Sequence, residues 1–425
     1  MKRRTVLASG LAAAFATACG GGTDATKAQV RLVNASAGYS ALDLTVDDTR
    51  LQSSVNYGQS ASYAEVDPKH TETVISQPSS ASALVSLTPT LTKEDHYSLL
   101  AYGNEGELAV LVLDENTGEP ASGKTLLRVV NAAPDAGSLD VYVTASGDAL
   151  SGAVATVSAA AVGTIGSYVT PNSGTWRLRV TGAALKDDLR LDVSNLVLPS
   201  ERNVTLVLTP GRGGVLVNAL LLEDRGGITQ LANTQARVRL AAGAAGGAAV
   251  TASVGSTTLA TSVAAPAITD YALVSAGTVA VSAAVAGNAA SLTSATLAAG
   301  GDYTLLAYGS SGAPQASLIE DDNHLPTVST KAKLRVVHGI SDISAALTLK
   351  VALTQVGSTA AQGTASSYGL VDPSTTASIV VNAAGSTTNL FPTTAQTFVA
   401  GAVYTVFMLG DSSATGLGTA LKQDR

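Results

Sequence analysis

The chain has 425 residues, 46% hydrophobic, 13% charged and 4% aromatic, with a formal net charge of −7. The charged fraction is about half that of an ordinary soluble domain, and a mean hydropathy of +0.27 excludes classical disorder. A pI near 5.1 leaves no cationic field for phosphates and excludes a basic nucleic-acid binder. The length calls for about three or four domains. The N-terminus opens with Lys2-Arg3-Arg4, then an apolar run from Thr5 to Ala16, then Thr17-Ala18-Cys19 and three glycines. A basic start, a short apolar stretch and small residues at the cut form an export signal, expected to span 1–18. The apolar run is too short to cross a bilayer.

The only cysteine, Cys19, sits at that cut. Ala16-Thr17-Ala18-Cys19 resembles a bacterial lipobox, although the position usually held by Leu is Ala16. The resemblance implies a diacylglycerol on the Cys19 sulfur, with residues 19–29 as a tether. Two or three acyl chains would give firm anchoring. Gly20 after the cysteine implies sorting to the outer membrane, with the periplasmic or outward face left open. Arg3-Arg4-Thr5-Val6-Leu7 partly resembles a twin-arginine signal. The general secretory route is preferred, because nothing later demands cytoplasmic folding around a cofactor. Cleavage before Cys19 would leave no second cysteine and so no internal disulfide.

Four segments then start alike: Val30-Arg31-Leu32-Val33, Leu127-Arg128-Val129-Val130, Val238-Arg239-Leu240-Ala241 and Leu334-Arg335-Val336-Val337. Each is followed by an alternating strand such as Leu42-Asp43-Leu44-Thr45-Val46 or Leu139-Asp140-Val141-Tyr142-Val143. A turn tyrosine comes next (Tyr63, Tyr168, Tyr271 and Tyr368). Then comes a strand of the type Tyr97-Ser98-Leu99-Leu100-Ala101-Tyr102-Gly103, and each copy closes on an apolar strand with a polar end. Period-two alternation, richness in Val, Thr and Leu, and punctuation by Gly, Pro, Asn and Asp are strand signals. No sustained helical period follows the signal; Ala183–Leu185 and Leu292–Leu297 are expected to be single turns at most. The expected fold is all-β: tandem immunoglobulin-like or transthyretin-like β-sandwiches at 30–116, 117–225, 226–330 and 331–425. They are expected to line up as beads, reaching on the order of 130 Å end to end.

Arg128-Val129-Val130-Asn131-Ala132-Ala133-Pro134-Asp135 with Leu139-Asp140-Val141-Tyr142-Val143 resembles the bacterial family known as domain of unknown function 4397. Tyr303-Thr304-Leu305-Leu306-Ala307-Tyr308-Gly309 is similar to a later part of the same family. The third copy departs from the pattern at Ala241–Gly247 and has Thr251 where two others have aspartate. The resemblance implies tandem secreted or envelope-anchored β-sandwich modules and implies no activity.

Few residues carry chemistry. Gly118–Thr125 fits the phosphate-loop pattern G-x-x-x-x-G-K-T, but the strand expected after Thr125 replaces the helix that a nucleotide site needs. No nucleotide is expected there. His70, His96, His324 and His338 fall in different repeats or linkers, with no zinc-protease pair and no G-x-S-x-G elbow. No catalytic residue and no cofactor are therefore expected. Glu320-Asp321-Asp322-Asn323 is the densest acidic connector and the candidate calcium site, with Asp342 as a further ligand. The recurring arginines are expected to form structural ion pairs, with Asp43 and Asp140 in register with Arg31 and Arg128. The turn tyrosines are expected to bond nearby backbone, and Trp176, the lone tryptophan, makes a poor sugar platform by itself.

The expected function is that of a non-catalytic, lipid-anchored envelope protein, monomeric and elongated, serving as spacer or presentation scaffold for an envelope protein or glycan partner. The alternative is an adhesin or carbohydrate-binding module set with calcium-stiffened junctions; an envelope hydrolase through His338 or Asp140 is the remaining rival. The charge deficit is concentrated in the third unit, where Asp270 is the sole charge between Leu240 and Gly301. Such a surface is poorly soluble alone, so this unit is expected to pack against a neighbour.

Overall fold

The computed structural model describes residues 24–80, 82–392 and 394–425. The expected signal and Cys19 lie outside them. The described chain is all-β, with three single 3-10 turns and no α-helix. Four sandwiches follow one plan. In the first, the strand Ala28–Asn34 pairs in parallel with His96–Tyr102, which pairs antiparallel with Ala109–Asp114. The facing sheet holds Thr49–Asn56, Ala41–Val46, Thr73–Ser76 and Ala83–Leu87 in that order. The same arginine strand runs parallel to a later strand in every copy: Thr125–Asn131 beside Arg202–Pro210, Gln235–Ala244 beside Asp302–Ser310, and Ala332–Ile340 beside Val403–Gly410.

These inner sheets are apolar on both faces, and period-two alternation divides their side chains between two cores. Val30, Leu32, Tyr97 and Leu99 fill the first sandwich. The alternate residues Val33, Ala35, Leu100 and Leu113 point the other way, against Val130, Ala132, Val207, Leu220 and Leu222 of the second sandwich. Ala241, Leu306 and Ile319 of the third meet Val337, Phe407 and Leu409 of the fourth in the same manner. The four sandwiches are thus two face-to-face pairs, each joined through its two inner sheets. The expected string of end-to-end beads is not what forms, because each inner sheet has a second apolar face to bury.

The closeness of the second pair rests on two glycines. A Cβ at Gly243 would lie 2.7 Å from the Gly339 carbonyl oxygen, and one at Gly339 would lie 2.8 Å from both Leu306 and Leu409. The corresponding residues of the first pair are Ala35 and Ala132, both fully buried. The two pairs also touch. Gly213 N–H donates to Gly300 O (2.7 Å), Leu325 N–H to Asp135 Oδ1 (2.9 Å), and Arg425 Nη1 to Gly214 O (2.8 Å).

Three local expectations are corrected. Ile228–Leu231, expected to open the third unit, pairs with Val217–Glu223 as the outer strand of the second unit's inner sheet. Ser294–Leu297 is a strand against Gly277–Val285, not a turn. Leu185 begins a 14-residue strand after a hairpin turn at Ala184. The third unit does pack against the fourth through its inner sheet. Its outer sheet presents exposed Thr251, Thr261, Thr278, Ala280 and Ser282 instead of charge.

Candidate functional site

The four recurring arginines sit on the outward face of their strands, in the plane where paired sandwiches meet. Each guanidinium donates from Nε to the hydroxyl directly across the parallel pairing. The bonds are Arg31 to Ser98 (2.7 Å), Arg128 to Thr205 (2.8 Å), Arg239 to Thr304 (2.9 Å) and Arg335 to Thr405 (3.2 Å). Each also lies over the ring of its own turn tyrosine, at 4.8 Å for Tyr63, 4.9 Å for Tyr168, 4.5 Å for Tyr271 and 4.7 Å for Tyr368. Such a contact offsets part of the desolvation cost of a buried cation.

A further guanidinium nitrogen of each arginine crosses the interface. Arg31 bonds Glu115 of its own unit (2.9 Å) and the carbonyls of Glu223 (3.0 Å) and Gly226 in the second unit. Arg128 returns the contact through the Asp114 carbonyl of the first unit (3.0 Å). In the second pair Arg335 bonds Asp321 and the Glu320 carbonyl (3.1 Å) of the third unit, and Arg239 bonds Asp424 of the fourth (2.5 Å). Arginine, tyrosine, hydroxyl and strand-end acid therefore converge in all four copies.

The acids differ in how completely they are satisfied. Glu115 accepts from Arg31, Ser98, Tyr63 and the Arg225 N–H. Burial alone would raise its pKa, but Arg31 and these donors outweigh it and hold the carboxyl below its ordinary value. Asp321 is likewise held low against burial by Arg335 and Arg239. Asp424 accepts from Arg239 and from Thr405 (2.6 Å). Asp224 is the exception: it has one bond, from the Tyr168 hydroxyl at 3.2 Å, and its Oδ1 has no protein partner. Burial, with Glu115 nearby, pushes its pKa up to about 6.

The expected partners of the arginines are placed elsewhere. Asp43 accepts the Ser54 N–H (2.7 Å) and pairs with Arg50 at 3.4 Å. Asp140 accepts from the Ala159 and Ala184 N–H groups (2.7 and 2.9 Å). These aspartates hold residues at φ of 53°, 50° and 60°, where a left-handed backbone needs support. Thr251 does the same for Ser262 in the third unit (3.0 Å). Sequence register misled here because these strands belong to the opposite sheet. The tyrosine hydroxyls of Tyr63, Tyr168 and Tyr271 donate to strand-end carboxylates, not to backbone.

Glu320, Asp321, Asp322 and Asn323 do not converge on one point. Glu320 binds exposed Arg212 (2.6 Å), Asp321 is buried with Arg335, Asp322 takes Lys333 (2.8 Å) and His324 (2.8 Å), and Asn323 donates to Asp302 (2.9 Å). Asp342 accepts from Ser412 (2.8 and 2.6 Å). Among the described residues no three His, Cys, Asp or Glu side chains are grouped as metal ligands. The four histidines also stay apart: His70 contacts the Asp67 carbonyl, His96 packs on Tyr63, and His338 contacts the Ala345 carbonyl. In the phosphate-loop-like segment Thr125 opens a strand. Trp176 donates to the Asn172 carbonyl (3.0 Å) beside exposed Val154.

Two outcomes follow. Arg31→Ala leaves Glu115 buried without its cation and should cost about 3–5 kcal/mol, whereas the double variant Arg31→Met with Glu115→Leu, which removes both charges, should cost far less. Urea unfolding of the two variants tests this, and equal losses would contradict it. For Asp224 the folded pKa lies above the unfolded value. Its ionisation therefore costs stability as pH rises from about 4 to 6, and the cost is fully present above 6. Asp224→Asn should stabilise the protein at pH 7.5 by about 1–2 kcal/mol, after allowance for solvent screening, and not at pH 4. A melting temperature that drops at pH 7.5 would reverse the assignment.

No curated protein is detectably similar to the chain. A crystal structure of a proposed cell adhesion protein from Bacteroides uniformis aligns at 15% identity and a TM-score of 0.22, covering 48% of this chain and 99% of that one. The Bacillus anthracis TIE protein aligns at 7% identity and a TM-score of 0.15, covering 87% of this chain and 65% of that one. At such scores neither likeness bears on function. The family model described as "Domain of unknown function (DUF4397)" matches residues 28–142 and 236–347, more than half of the chain. Each matched stretch runs from one arginine strand through its partner's, taking in Arg31 with Arg128 and Arg239 with Arg335. The third unit, with its divergent opening, falls inside the second match, and the chain belongs to the DUF4397 family in tandem copies.

Proposed function

We propose that this is a non-catalytic envelope protein whose paired sandwiches form a stiff scaffold for presenting binding surfaces, anchored through a lipid on Cys19 in the outer membrane. The observation that carries the reading is the use to which the recurring polar residues are put. The arginine of every copy, held by the hydroxyl and tyrosine of its own unit, is turned inward and fastens one sandwich to the next. What repeats along the chain is thus a structural device. The faces open to a partner are the outer sheets, rich in exposed Thr and Ser in the third unit, and the end loops, where such folds carry variable function.

An adhesin that binds a protein or a glycan is the same scaffold with a named partner. A hydrolase reading has less support, because His338 and Asp140 are each engaged with backbone groups of their own unit. The test is made in intact cells. The wild type should take up an alkyne-labelled fatty acid and stay with the membrane fraction, and Cys19→Ser should lose both properties. Crosslinking of the wild type in the envelope should then recover a reproducible partner. Retention of the label by Cys19→Ser would overturn the anchor, and the absence of any crosslinked partner would overturn the presentation role.

A further inference from the structure

The last strand of an inner sheet is covered in the second unit and bare in the third. In the second unit the chain turns back after Asp224, and Ile228–Leu231 adds an antiparallel strand to the outer side of Val217–Glu223. In the third unit Asp321 runs on into the connector to the fourth. Ala313–Asp321, paired with Asp302–Ser310 on one side, is therefore the edge of its sheet among the described residues. The two places face equivalent turns. Gln230 of the covering strand donates from Nε2 to the carbonyl of Gly58 in the first unit (3.2 Å). Gly363 is the counterpart of Gly58 in the fourth unit: Gly58 N–H donates to the Asn34 carbonyl and Gly363 N–H to the His338 carbonyl, both at 2.8 Å. Beside the bare edge, where the covering strand would lie, is a cavity of about 410 Å³. Residues 317–320 form one wall and residues 363–366 the floor.

The bare edge presents a ladder of unused backbone groups. In an antiparallel strand the N–H and C=O of one residue point to the same side, and successive residues alternate. Glu320 turns its carbonyl away from its own sheet, to Arg335 Nη1 (3.1 Å). Leu318 and Ala316 therefore turn theirs to the open side, and both residues are only half-buried. Glu223 shows the same polarity in the second unit: its carbonyl accepts from Arg31 (3.0 Å) and its N–H donates to the Gly227 carbonyl (3.0 Å). There Leu221 and Ala219 meet Thr229 and Leu231. The bare stretch from Gln315 to Ile319 carries no charge and no proline, and such an edge is a template for pairing. The groove is also continuous with the joint already described. Ser317 Oγ donates to the Gly363 carbonyl, and Ile319 and Ala365 belong to the apolar cluster shared by the third and fourth units.

We propose that this groove receives an extended segment of a partner protein as an added antiparallel strand. The filled copy specifies the chemistry of the occupant. Ile228, opposite Leu222, joins the apolar cluster between the first two units, and Leu231, opposite Ala219, enters the core of the second. Counted back from Asp224 and Asp321, the corresponding residues of the bare edge are Ile319 and Ala316. The occupant therefore carries two apolar side chains three positions apart, with uncharged polar residues between them, as Thr229 and Gln230 are. Backbone bonds supply affinity and the two apolar side chains supply selectivity. The groove is distinct from the outer sheets and end loops, and the inference does not depend on the lipid anchor.

The probe is a fluorescent peptide with the sequence of residues 226–233, titrated into the full chain in detergent and followed by polarisation. It should bind saturably. N-methylation at its Thr229, whose N–H would face Leu318, should weaken binding at least about tenfold. N-methylation at its Gln230, whose N–H would face away from the edge, should leave binding unchanged. In the protein, Ala316→Pro removes an N–H that the existing ladder does not use, a place where an edge strand tolerates proline. Thr364→Trp fills the groove from an exposed position on its floor. Both variants should keep the wild-type melting temperature and lose affinity for the peptide. No saturable binding, equal effects of the two N-methyl groups, or full affinity in both variants would each overturn the proposal. A chain that is dimeric alone and monomeric with the peptide would assign the groove to a second copy and overturn the partner reading.

Discussion

The structure depends on four buried arginines, each placed between two sheets. A guanidinium taken out of water is costly, and the cost is recovered only if nearly all of its donors are used. Here one nitrogen is fixed by the hydroxyl of the adjacent strand, the ring of a turn tyrosine covers one face, and a further nitrogen of each reaches across to the paired sandwich. That demand sets several features of the repeat. It calls for a Ser or Thr at one position of the tyrosine strand, an acid where the last strand ends, and a tyrosine at the turn. It also makes the pairing specific in register, because an arginine displaced by one residue would turn into its own core.

The low charge of the chain acquires a meaning from this arrangement. Both faces of each inner sheet are buried, so a large share of every unit is interior and few positions remain for surface charge. Many of the charges present are paired within the interfaces, as in Arg31–Glu115 and Arg335–Asp321. The third unit carries this furthest, with an inner sheet closed by the fourth unit and an outer sheet covered with hydroxyls. The repeats are nevertheless not equivalent. Asp224 has a single bond where each of its counterparts has at least two.

Much of the fold was legible in the sequence. Alternation and turn chemistry disclosed the strands, and the spacing of Arg31, Arg128, Arg239 and Arg335 disclosed the four copies. All four members of the cluster were visible as landmarks, but not their meeting. Arg31 and Ser98 are 67 residues apart and joined by a parallel pairing, which leaves no local trace. Asp43 looked the nearer partner, yet it belongs to the facing sheet. A signal for the pairing was present all the same: Val33, Leu100, Val130 and Val207, alternate to the core residues, are apolar too, and only a sheet covered on both sides needs that. The run Glu320–Asn323 looked like one oxygen cluster because it is contiguous. Glu320 and Asp321 close a strand and so face opposite sides, one to Arg212 and the other to Arg335. Cys19 remains an expectation from the sequence.

Native-state hydrogen exchange, followed through increasing denaturant, tests the central claim most directly. If crossed arginines make each pair one cooperative body, the amides of Ala28–Asn34 and Thr125–Asn131 open together with one free energy and one denaturant dependence. Those of Gln235–Ala244 and Ala332–Ile340 should open together in the same way. Independent opening of the four arginine strands, each with the surface exposure of a single sandwich, would contradict the account.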